Sequence, residues 1–116
     1  MQYDLFLADC PARTTLELVA NRWSVVVMYG LGQRPMRFGE LQERIGGISA
    51  KSLSEALHRL EDNGLLERSD ERWELTALGR TLLEPIGALA RWAEEHTAVL
   101  LDARDTRVAR AAAGKD

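Results

Sequence analysis

Two groups of residues in this chain can do chemistry. Cys10 stands directly before Pro11 at the start of a predicted helix, with Arg13 close behind it. A helix N-terminus and a nearby cation both favour the thiolate, the nucleophilic form of cysteine, whereas Asp9 opposes it. Cys10 is therefore a candidate redox-sensing residue; a cysteine that packs and senses nothing is the other reading. It is the only cysteine of the chain, so oxidation would have to join two chains or capture a small thiol.

The second group is Ser49, Lys51, Ser52, Ser54, Glu55, His58 and Arg59, at the cap and along the length of one predicted helix. Their types suit duplex DNA. Lys51 and Arg59 can reach phosphates or guanine edges, short serines let the backbone approach the groove, and Glu55 can accept from a cytosine amine. Arg37, with help from Arg34, is a candidate phosphate contact upstream, and Arg72 is a candidate downstream. A solvated helix face of mixed charge would have the same composition. His58 and His96 lack partners at ligand spacing, so neither a metal site nor a cofactor is expected. No nucleophile with its base, paired-carboxylate site or phosphate-cradling loop is evident, and an enzyme is not expected.

The elements that must position these residues follow from periodicity. Pro11 can open a first helix, from about Ala12, with Leu16, Val19, Ala20 and Trp23 at helical spacing. A second helix is predicted over Trp23 to Leu31, although Val25, Val26 and Val27 would also suit a strand. Phe38, Leu41 and Ile45 define a short third helix ended by Gly46 and Gly47. Ser49 caps the fourth, which carries Leu53, Ala56, Leu57 and Leu60 on one stripe and closes at Asn63 and Gly64. Only Gly46, Gly47 and Ile48 join the third and fourth helices, as in a helix-turn-helix.

Two short strands are then predicted, Leu66 to Arg68 and Trp73 to Leu75, turning through Ser69, Asp70 and Glu71. Thr76 caps a long last helix containing Pro85, which should kink it or interrupt one of its backbone hydrogen bonds. The expected fold is mainly α with a small β-hairpin, the order of a winged helix. Residues 1–105 are expected to form the DNA-binding and dimerisation domain, and residues 106–116 a frayed or disordered tail.

Bulk properties narrow the function. A chain of 116 residues holds one domain's worth of core. The net charge of −3 is unevenly spread: residues 22–59 hold six bases against three acids, while the flanking segments are acidic. Local neutralisation of phosphate, not total charge, governs DNA affinity, so a basic middle serves an acidic protein. No apolar run approaches the roughly 20 residues of a membrane span, and the first residues carry acids rather than a basic signal flank. A cytoplasmic location is expected, with no membrane partner.

The resemblance to a known family rests on ordered motifs. These are Cys10-Pro11, Arg22-Trp23, Arg37-Phe38-Gly39-Glu40-Leu41, Gly47-Ile48-Ser49-Ala50-Lys51-Ser52-Leu53, Leu57-His58-Arg59-Leu60 with Asn63-Gly64-Leu65-Leu66, and Leu75-Thr76-Ala77-Leu78-Gly79. From residue 10 to about 96 the chain resembles the HxlR family of bacterial winged helix-turn-helix regulators. The resemblance implies transcriptional regulation and a cysteine that, in many members, senses oxidants or electrophiles. One departure stands out. Family members commonly have a longer wing with prolines and an arginine, whereas here Ser69-Asp70-Glu71-Arg72 joins the strands and puts acids at the tip.

The last helix carries more apolar surface than one small domain can cover. Leu89, Trp92, Ala93, His96 and Leu100, with Leu16 of the first helix, are therefore the predicted homodimer contacts. A two-fold dimer would set two reading helices about 34 Å apart on a pseudo-palindromic duplex site. A winged-helix protein adaptor without DNA binding, and control by a small ligand at the dimer interface, are the alternatives.

Overall fold

The computed structural model describes residues 2–114. Its elements are α1 (Pro11–Val19), α2 (Arg22–Leu31), α3 (Phe38–Ile45), α4 (Ala50–Asp62), β1 (Leu66–Ser69), β2 (Arg72–Leu75), α5 (Ala77–Arg80) and α6 (Leu83–Ala113). The fold is a winged helix-turn-helix, and it divides into two compact units, one ending at Leu83 and the other beginning at Glu84. The first unit carries the helix-turn-helix and the wing, where the sequence predicts one domain over residues 1–105.

α2 is helical despite its three consecutive valines. Asn21 accepts a hydrogen bond from the Trp23 backbone N–H at 3.0 Å, a cap that fixes the first turn. Val27, Met28 and Leu31 are then buried on the side that packs against α3 and α4. Burial of that stripe outweighs the modest β preference of valine.

The tight turn depends on glycine. Gly46 has φ of 68° and Gly47 of 72°, in the left-handed region that side chains disfavour. Ile48 is buried and anchors the turn. Ser49 then accepts from the Ser52 backbone N–H at 3.0 Å, so α4 begins where its cap predicts.

The wing is tighter than the sequence predicts. Ser69 pairs with Arg72, so both lie within the strands and only Asp70 and Glu71 turn the chain. Their φ values of 54° and 62° match a two-residue type I′ turn, here built without glycine. Met36 adds an isolated bridge on the other edge of β2: its N–H donates to the Trp73 carbonyl at 3.0 Å and its carbonyl accepts from the Trp73 N–H at 2.7 Å. Trp73 is buried and ties the wing to the segment before α3.

The single last helix predicted from Thr76 is two helices. Thr76 does cap, accepting from the Gly79 N–H at 3.0 Å, but α5 ends at Arg80. Pro85 is the reason. It has no N–H for the Thr81 carbonyl four residues earlier, and its ring would clash with that carbonyl in a continuous helix. Pro85 is thereby the third residue of α6, a first-turn position where its missing donor costs nothing. The predicted kink inside the helix is replaced by a break before it.

α6 continues through residues 106–113, where the sequence reading places a frayed tail. Val108 aside, that stretch is arginine and alanine after Thr106, and both are strong helix formers. Lys115 and Asp116, the end of that predicted tail, lie outside the described residues.

Candidate nucleic-acid interface

α4 holds its position through one face. Leu53, Ala56, Leu57 and Leu60 are buried, and the opposite side carries the candidate readers. Lys51, Glu55 and His58 are exposed, whereas Ser52, Ser54 and Arg59 are half-buried. Ser49 is committed to capping, so its hydroxyl orders the helix start.

Arg59 departs from its predicted role. Its Nη2 donates to Asn21 Oδ1 at 3.2 Å and to Ser24 Oγ at 3.3 Å, and its Nε is buried without a partner. Ser24 is itself fully buried. The guanidinium thus joins α4 to the start of α2 instead of extending from the reading face. Helical spacing explains the difference: Arg59 lies next to the buried stripe, between Leu57 and Leu60, and its length lets it fold back.

The other candidate arginines, Arg34, Arg37 and Arg72, face acids. Arg37 Nη1 contacts Glu71 Oε2 at 3.0 Å, linking the residue before α3 to the wing tip. Arg34 Nη1 contacts Glu40 Oε2 at 3.0 Å, and Arg72 lies 4.0 Å from Asp70. Glu40 also accepts from the Arg37 backbone N–H at 3.1 Å. That backbone bond, followed by the Arg34 hydrogen bond, holds the Glu40 carboxyl below its ordinary pKa.

Arg68, not among the predicted residues, lies beside this candidate site. Its guanidinium sits 4.7 Å from the Trp73 ring centroid, a cation–π arrangement. His58 meets the same indole edge-on, with centroids 6.0 Å apart. α4 and the wing therefore present His58 and Arg68 about one buried tryptophan. The predicted strand ends already set residue 68 opposite residue 73; the approach of His58 from α4 to the same indole is what sequence spacing did not show.

Cys10 is buried, at 5% exposure. It occupies the N-cap position of α1 without a side-chain capping bond. Arg13, the predicted cationic neighbour, donates instead to the Phe6 carbonyl at 3.2 Å and to Glu17 Oε1 at 3.4 Å. Its hydrogen bonds go elsewhere than to the sulfur.

The predicted dimer residues Leu16, Leu89, Trp92, Ala93 and Leu100 are exposed, and His96 is half-buried. Trp92 and His96 stack with ring centroids 4.6 Å apart. Between α1, the end of α4 and α5 lies a half-open cleft of about 320 Å³, lined in part by Leu18, Leu65, Leu78 and Thr81. No helix among the described residues is long and apolar enough to cross a membrane. No three potential ligand side chains among those residues group as a metal site.

The model of the HxlR-like helix-turn-helix family matches residues 18–100. The chain belongs to this family. Among HxlR-like relatives, it is 36% identical over 113 residues to the uncharacterised HTH-type transcriptional regulator YtfH of Escherichia coli, covering 91% of this chain and 90% of the relative. The solved transcriptional regulator ytfH of Salmonella typhimurium superposes with a TM-score of 0.82 at 32% identity, over 90% of this chain and 99% of that one. The quinone-bound YodB of B. subtilis gives 0.66 at 32% identity, over 72% and 96%. This HxlR-like chain is accordingly a transcriptional regulator of the helix-turn-helix type.

Proposed function

We propose that the protein acts as a homodimer that binds a pseudo-palindromic duplex, with α4 in the major groove and the wing beside the backbone. The observation that carries this reading is the anchored, Ser49-capped α4, which keeps Lys51, Glu55 and His58 exposed while four apolar residues fix its other side. Ser52 and Ser54 allow close approach, and Arg37 and Arg72 reach phosphate once released from their acids. Dimerisation uses the exposed apolar residues of α6 and Leu16 of α1. Two α4 helices about 34 Å apart then meet successive turns of one duplex face.

The test combines sedimentation with selection of fragments from the source genome. A dimer that enriches a two-fold related sequence supports the reading. A monomer, or a dimer that binds no duplex in a salt-dependent manner, favours a protein-binding adaptor instead.

Control through Cys10 is the finer proposal, supported by its N-cap position and by likeness to the quinone-bound YodB. The sulfur would add to a quinone ring as a thioether, its proton passing to the reduced ring oxygen. A buried thiol must first be uncovered, so modification and local opening are coupled. Mass spectrometry after quinone or peroxide treatment, paired with a duplex-binding assay, tests it. Complete modification that leaves DNA affinity unchanged ends the redox proposal.

A further inference from the structure

His58 combines exposure on the reading face with one ring nitrogen already committed. Nδ1 lies 2.7 Å from the Ser54 carbonyl oxygen, whereas the Ser54 hydroxyl is at 3.4 Å. A carbonyl oxygen only accepts, and a bare ring nitrogen at that distance would set two lone pairs against each other. Nδ1 therefore carries a proton. In the neutral ring Nε2 must then be the bare nitrogen, an acceptor. The edge-on contact with Trp73, which Arg68 covers in turn, limits how the ring can turn to exchange these roles.

Resting on the DNA-binding reading above, we infer that His58 is a specificity-determining residue that reads an exocyclic amine in the major groove through Nε2. The chemistry defines the preference. On the contacted strand, adenine N6 and cytosine N4 are donors, while guanine O6 and thymine O4 are acceptors. His58 thus selects an amino base, A or C, over a keto base, G or T, at one position of each half-site. A histidine with the proton on Nε2 would select the reverse.

Two measurements test this. Long-range proton–nitrogen correlation spectra of the full, nitrogen-15-labelled chain, recorded on the alkaline side of the ordinary imidazole range, should show His58 Nδ1 protonated and Nε2 bare. A His96→Gln variant identifies which signals are His58. Selection from a randomised duplex library, with wild type and His58→Ala, should show an amino-over-keto preference at one half-site position that the variant loses. At that position, replacing adenine by purine, or cytosine by 2-pyrimidinone, should weaken wild-type binding on the order of tenfold, with little change for His58→Ala. Replacing adenine by 7-deazaadenine should have no effect, because N7 is not the contacted atom.

A protonated Nε2 in the spectra, a keto preference, or a pattern unchanged in His58→Ala would overturn this inference alone. Failure of the wild type to enrich any sequence would overturn the DNA-binding reading and this inference with it.

Discussion

Arg37 Nη1 donates to Glu71 Oε2 at 3.0 Å, so the wing tip holds the side chain proposed above as a phosphate contact. Both side chains are more than half exposed, at 51% and 80%. Such a pair is worth about 0–1 kcal/mol to the fold, yet it lies where a duplex backbone would compete with the carboxylate. In the proposed complex, phosphate would displace the Glu71 carboxylate from Arg37.

Glu71→Gln should free Arg37 while leaving thermal stability within about 0.5 kcal/mol of wild type. Duplex affinity at low salt should rise. The slope of log affinity against log salt should steepen by about one for each protomer. A fluorescence-anisotropy salt series checks this.

Arg59 and Lys51 should separate cleanly. Arg59→Ala removes the bonds to Asn21 and Ser24 and leaves the buried Ser24 hydroxyl without that partner, so urea unfolding should show a loss of about 1–3 kcal/mol. Lys51→Ala, at an exposed position, should leave unfolding unchanged and flatten the salt dependence of binding.

Glu40 sets a pH dependence. Its carboxyl is held below the ordinary value of 4.5 by the Arg37 backbone N–H and then by Arg34. A depressed carboxyl contributes stability that is fully present above its unfolded pKa and is lost as pH falls through its folded pKa. Melting temperature should therefore fall on acidification below about pH 4.5, and Glu40→Gln should reduce that fall. A variant whose acid profile matched wild type would contradict this role.

The wing turn can be relaxed. Asp70 and Glu71 both sit at positive φ, where a side chain other than glycine costs roughly 1–2 kcal/mol. Replacing them together with Asn and Gly should stabilise the domain by about 1 kcal/mol in urea titration.

Much of this architecture was legible in the sequence because local chemistry and tertiary packing agree there. Pro11, Gly46, Gly47 and Ser49 punctuate helices in the ways their backbones require, and the Leu53 to Leu60 stripe faces the core. Where several residues compete for one partner, sequence spacing is silent. It gives Arg59 a place on α4, not the fold-back to Ser24, and it shows acids at the wing tip without pairing Glu71 with Arg37. Pro85 was visible, but whether it would kink a helix or separate two depended on where the preceding turn stopped.

The most direct test is an anisotropy titration of a genome-selected fragment by wild type and Lys51→Ala at several salt concentrations. The proposed α4 interface predicts wild-type binding that weakens steeply as salt rises, and a Lys51→Ala variant with lower affinity and a shallower slope. Wild-type binding indifferent to salt, or a Lys51→Ala curve superimposable on it, would contradict the assignment of α4 as the DNA-reading helix.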